Sequence, residues 1–182
     1  MYKKYLVIFF LFAACYTAAQ ENVNSLNFLF SNGQVIWQKV YETRLSFEDF
    51  ISSIEQSGIY ESMEVSDSSV KGVLKIFDAD FLGAGYKETG IPQYIPRNSI
   101  EGNLLIEYKP GRYRATLAKI ILIQKFNDLM TDAGEEAGIE YYCLNRMKSG
   151  FSSTFLKTPI RIYEYSFDNL CRINEKSGDD DW

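Results

Sequence analysis

The sequence predicts an α+β fold built on an antiparallel β-sheet. Segments rich in β-branched and aromatic residues come in runs, joined by two-residue turn signals at Asp67-Ser68 and Pro110-Gly111. A helical apolar stripe appears twice, near 46–58 and 158–171. Strands that follow one another through short turns pair antiparallel, because a parallel pair needs a crossover of about a dozen residues or more.

The N-terminal residues read as a segment outside this fold. Lys3 and Lys4 precede the uncharged apolar run YLVIFFLFAA at 5–14, and Thr17, Ala18, Ala19 and Gln20 follow with small residues at the step. That is the layout of a secretory signal, shorter than the ~20 residues a transmembrane helix needs. Residues 1–19 are therefore expected to be cleaved, which leaves no transmembrane segment in the mature chain. An alternative is a lipoprotein anchored through Cys15, which follows Phe12, Ala13 and Ala14. Residues 20–33 read as a leader ending in the turn signal Asn32-Gly33, 34–174 as one α+β domain, and 175–182 as an acidic tail.

Within the domain, 34–41 is rich in β-formers and reads as a strand. Ser46 then offers a cap, Glu48 and Asp49 sit in the first helical turn, and Phe47, Phe50, Ile51 and Ile54 form one stripe before Gly58. This helix is expected to lie on an apolar sheet. Residues 59–66 and 70–78 read as a hairpin, and 79–97 as a long loop with three glycines and two prolines. Residues 99–109 and 112–124 read as the best strand pair. With Pro110-Gly111 as a two-residue turn, Lys109 faces Arg112, Tyr108 faces Tyr113, Glu107 faces Arg114, Ile106 faces Ala115 and Leu104 faces Leu117. Alternation then puts Tyr108, Ile106, Leu104, Tyr113, Ala115 and Leu117 on one face, continued by Ile121 and Ile123. Leu105, Ile120 and Leu122 fall on the second face, beside a Glu107–Arg114 cross-strand pair. On this reading Arg112 and Arg114 are sheet surface rather than a ligand grip. Residues 125–157 show no clean period, and Thr158-Pro159 opens a helix striped by Ile160, Tyr163, Phe167, Leu170 and Cys171.

Composition limits function. The full chain carries 19 basic and 24 acidic residues, a net charge of −5, and loses Lys3 and Lys4 with the signal. Such a surface opposes nucleic acid and anionic lipid. The chain has 0 histidines, which removes Ser-His and Cys-His nucleophile pairs and the commonest zinc ligand. Ser68 and Lys71 have the Ser-x-x-Lys spacing, but on a strand residues three apart point opposite ways. Asp78 and Asp80 begin a calcium-loop pattern that Leu82 and Thr89 break. Asp132, Glu135, Glu136 and Glu140 read as a solvated acidic face. No cofactor or metal is called for. Cys143 and Cys171 are either bridged, as an oxidising compartment permits, or two buried thiols.

A Trp-containing strand (Val35, Ile36, Trp37), a short amphipathic helix, a strand followed by Gly83, Ala84 and Gly85, and a Gly111, Arg112, Tyr113, Arg114 hairpin accompany the export signal. Together they resemble the uncharacterised exported bacterial domains described as having a TATA-binding-protein-like (TBP-like) fold. The resemblance covers 34–125. It implies a curved antiparallel β-sheet with helices packed on one face, and it implies no activity and no catalytic residues.

Two function classes follow. The first is a non-catalytic cell-envelope module that recognises a protein, peptide or glycan. Its candidate surfaces are the 79–97 loop, with Phe81, Tyr86 and Tyr94, and the second sheet face, with Leu105, Ile120 and Leu122. The second is a carboxylate-based hydrolase acting on envelope carbohydrate, for which two carboxylates within about 5–9 Å in a cleft would speak. The sequence alone does not indicate an oligomeric state.

Overall fold

Sheet pairing in the computed structural model, which describes residues 23–129 and 131–173, is antiparallel throughout. The signal segment, Cys15 and the acidic tail lie outside the described residues. The strands are β1 (Val23–Ser25), β2 (Phe28–Ser31), β3 (Gln34–Glu42), β4 (Tyr60–Ser66), β5 (Ser69–Leu74), β6 (Phe77–Asp78), β7 (Asn98–Lys109), β8 (Arg112–Gln124) and β9 (Glu136–Gly138). Their order across the sheet is β1-β2-β3-β8-β7-β5-β4, with β6 added to β7 and β9 to β8. The helices are α1 (Phe47–Ser57), α2 (Tyr94–Arg97), α3 (Glu140–Cys143) and α4 (Thr158–Cys171). None among the described residues is long and apolar enough to cross a membrane.

The leader reading of 20–33 is corrected over its described part. Phe28 and Phe30 alternate inward, at 0% and 9% exposure, and Asn32 and Gly33 turn the chain at φ 54° and 78°. Two consecutive positive-φ residues form the hairpin turn whose twist suits flanking strands, so Ser31 faces Gln34 and β2 joins the sheet. The strands are only three and four residues long, which hid them from a pattern reading.

Helix α1 forms where the sequence places it. Ser46 Oγ accepts from the Asp49 amide at 3.2 Å, and Gly58 closes the helix in the left-handed region at φ 62°. Its stripe inserts Phe50 between Tyr113 and Tyr108, at ring separations of 4.9 and 5.2 Å. Helix α4 starts with Pro159 in its first turn and buries Ile160, Ile162, Tyr163, Phe167 and Cys171. Phe167 packs on Phe28, Trp37 and Phe77. Every ring contact between a helix and a strand falls on this one face of the sheet.

The β7–β8 hairpin has the expected register from Lys109–Arg112 through Leu104–Leu117. Beyond it the alternation breaks. Asn103 faces Ala118 and Glu101 faces Ile121, so Gly102 alone opposes Lys119 and Ile120. Lys119 takes φ 50°, and a Cβ on Gly102 would lie 3.0 Å from Leu117 Cδ1. This β-bulge inserts one residue into β8 and reverses the parity of everything after it. Ile120 and Leu122, expected on the second face, are core residues at 1% exposure each. Ile121 and Ile123, expected in the core, turn to the second face and are half-buried.

The 126–157 segment closes the core over this end of the sheet. It adds β9 to β8, donates the Ile139 amide to the Ile120 carbonyl at 2.9 Å, and buries Ile139, Cys143, Phe151 and Phe155. Cys143 and Cys171 are both buried and unbridged, so the disulfide alternative is set aside. Burial pushes both thiols well up, with Glu140 adding to it at Cys143 and Asp168 at Cys171.

Candidate functional site

Two concave surfaces lie on opposite faces of the sheet. The first is a cleft of about 650 Å³ over the polar side of α4, bounded by the β1–β2 turn, β3 and the 79–97 loop. It forms because the inward positions of β3 run Val35, Trp37, Lys39, Tyr41, with a lysine where an apolar residue is the norm. Lys39 Nζ meets Asp168 Oδ1 at 3.0 Å and Glu164 Oε1 at 3.6 Å, two carboxylates one turn apart on α4. The indole N–H of Trp37 donates to Glu164 Oε2 at 2.7 Å, and Asn27 Nδ2 donates to Glu164 Oε1 at 2.5 Å. Tyr41 donates to Asp168 Oδ1 at 2.9 Å, and Arg172 to Asp168 Oδ2 at 2.7 Å. Burial raises the Asp168 carboxyl, but donation from Arg172, Lys39 and Tyr41 outweighs it and holds the group below the usual carboxylate range.

The loop is fastened to α4. The Asp80 amide donates to Ser166 Oγ at 2.9 Å, and the Gly83 amide to Asp80 Oδ1 at 2.8 Å. A Cβ at Gly83 would come within 2.8 Å of the Tyr165 ring and 2.2 Å of Asp80 Oδ2, so a larger residue there would push both side chains aside. The loop sets Ala84 and Tyr86 against the cleft, facing Arg161 and Tyr165 from α4. Arg161 is exposed and has no ion pair among the described residues.

The second surface is the open face of the sheet. A groove of about 460 Å³ crosses β4, β5, β7 and β8 over Ser62, Val73, Leu105, Thr116 and Ala118. A smaller hollow of about 260 Å³ adjoins Val40, Glu107, Lys109, Arg112 and Arg114. Glu107 and Arg114 pair at 2.6–2.8 Å with both side chains more than a third exposed. An exposed pair of this kind is worth at most about 1 kcal/mol. Arg114→Ala and Glu107→Ala are each expected to lower stability by no more than about that, and the double mutant by little more, in urea unfolding. Arg112→Ala should be close to neutral, because the effects of its two cross-strand neighbours, Lys109 on β7 and Glu42 on β3, oppose each other. A loss of several kcal/mol for Arg114 alone would overturn the surface reading.

The sequence-predicted site residues do not form one site. Tyr86 lines the cleft and Leu105 the open-face groove. Phe81 packs against the core, and Tyr94 stacks on Tyr142 at 4.4 Å. Ile120 and Leu122 belong to the core. Sequence reasoning missed Lys39, Arg161, Glu164, Tyr165 and Asp168. The signal for Lys39 was its inward parity between Trp37 and Tyr41, which requires a buried partner. Among the described residues, no group of three Cys, Asp or Glu side chains is placed to hold a metal ion.

No family model and no curated protein matches the sequence. Among solved structures, a TBP-like protein from Parabacteroides distasonis is similar, with TM-score 0.50 and 12% identity over 78% of this chain and 92% of that one. A DUF4468 family protein from Bacteroides ovatus aligns with TM-score 0.44 and 13% identity over 78% of this chain and 86% of its own. The first likeness is one of fold. The chain has the TBP-like architecture, an open antiparallel sheet with a few helices.

Proposed function

We propose that this TBP-like domain is a non-catalytic binding module of the cell envelope that holds an extended protein or peptide segment on its open sheet face. The observation that carries this reading is the asymmetry of the sheet. Its longest strands pack helices on one face, while Val73, Leu105, Ile121 and Ile123 stay half-buried and Val40 57% exposed on the other. These apolar side chains alternate with Thr116, Asn103 and the Glu107–Arg114 pair, and such a mixture of apolar and polar groups is the usual make-up of a recognition surface. The placement in the envelope rests on the signal-like N-terminus. Sharing a fold with a DNA-binding protein does not transfer its ligand, and the net charge of −5 speaks against nucleic acid.

The alternative, carboxylate-based hydrolysis of envelope carbohydrate, has its best pair in Glu164 and Asp168. Hydrolysis needs one carboxyl that stays protonated to act as acid. Both oxygens of each of these side chains already accept from donors, and Asp168 is held ionised, which favours binding.

A displayed library of extended peptides selected on the wild-type protein tests the proposal. Leu105→Asp and Thr116→Arg should weaken the selected peptides at least tenfold while the domain still melts cooperatively, with no more than a modest drop in Tm. Peptides indifferent to both variants would sink it. For the envelope assignment, intact mass of exported material should begin at Gln20. A lipidated species starting at Cys15 would replace soluble export with a tether, and a full-length species would refute cleavage.

A further inference from the structure

We infer that the cleft over α4 is a second, independent binding site, and that its ligand is a saccharide bearing a carboxylate. Its volume of about 650 Å³ lies within the range of about 300–1,000 Å³ that holds small ligands. The wall presents two kinds of group side by side. Tyr86 and Tyr165 bring phenol rings, which suit the C–H faces of a pyranose and offer a hydroxyl at the rim. Lys39, Glu164 and Asp168 form a floor of fixed donors and acceptors, already oriented by Trp37, Asn27 and Tyr41. A network ordered before binding loses little entropy when ligand hydroxyls join it.

Charge selects among sugars. Glu164 and Asp168 are matched by Lys39 and Arg172, whereas Arg161 adds a guanidinium with no ion pair among the described residues. Arg161 is therefore the cleft cation left to meet a ligand anion, because Lys39 is already engaged by Glu164 and Asp168. A single carboxylate fits Arg161 in the bidentate geometry that guanidinium groups favour. A phosphate dianion would bring a second negative charge that Arg161 alone does not offset, beside the carboxylates of Glu164 and Asp168. The loop supplies the remaining wall, fastened by the Asp80 amide on Ser166 and passing close to Tyr165 at Gly83, which positions Tyr86.

A glycan array carrying uronic-acid, methyl-esterified uronic-acid, sulfated and neutral oligosaccharides tests the inference, followed by calorimetry on the strongest binder. Binding should be confined to free-carboxylate glycans and lost on esterification. Arg161→Gln should raise Kd at least tenfold with an unchanged Tm, since that side chain is exposed and forms no ion pair. Tyr165→Leu should weaken binding of the free-carboxylate glycans by removing the ring that faces the sugar. Leu105→Asp, on the opposite face, should leave Kd unchanged. The inference falls if no glycan binds, if esterified or sulfated glycans bind as well as free acids, or if Arg161→Gln has no effect.

Discussion

Phe50→Asp is expected to abolish the cooperative melt of the domain. Phe50 is 0% exposed and lies between the rings of Tyr108 and Tyr113, with Ile54 one turn further along α1. Truncating a core phenylalanine alone costs about 3–5 kcal/mol. An unpaired carboxylate left there adds several kcal/mol more after relaxation. Together these match the ~5–15 kcal/mol that holds a typical domain folded. Near-ultraviolet circular dichroism should lose its tyrosine signal, and heating should give no sigmoidal transition. Ser46→Ala provides the scale on the same helix, since removing a cap costs about 1 kcal/mol and should leave a clear but lowered Tm. An unchanged Tm for Phe50→Asp would mean that the stripe of α1 does not pack on the sheet.

What the sequence revealed and what it hid divide along physical lines. Helix α1 was legible because its determinants are local: a capping serine, acids in the first turn, an apolar stripe and a glycine at the end. The β7–β8 register was legible because Pro110 and Gly111 fix it from the turn outward. Parity arguments, however, survive only until a residue is inserted. Lys119 adopts the left-handed region without being the Gly or Asn that usually announces it, so nothing local warned that Ile120 and Leu122 would change faces. The binding candidates chosen on that parity were lost with it. Lys39 meets Glu164 and Asp168 from more than a hundred residues away in sequence, and no spacing rule reaches that far. Only the unusual inward lysine on β3 pointed toward them. The loop aromatics split between two outcomes: Phe81 and Tyr94 fold over the core, and Tyr86 reaches the cleft.

The bulge makes a prediction that a regular hairpin would reverse. With β8 continuous, Ile120 would point away from the helices and Ile121 toward them. In the structure Ile120 is 1% exposed and Ile121 is half-buried on the open face. Ile120→Ala is therefore expected to cost about 2–5 kcal/mol, as removal of a buried aliphatic side chain does. Ile121→Ala should cost about 1 kcal/mol, in keeping with its partial burial. Leu122 and Ile123 should repeat the contrast one step along. Lys119→Gly supplies the complementary arm. Glycine inside a regular strand loses about 0.5–1 kcal/mol to backbone entropy. At φ 50° it also relieves roughly 1–2 kcal/mol of left-handed strain, so the variant should be no less stable than wild type. Urea unfolding of the three variants reads the ordering directly. A larger loss at Ile121 than at Ile120, together with destabilisation by Lys119→Gly, would show that β8 runs straight and that Ile120 and Leu122 belong to the open face after all.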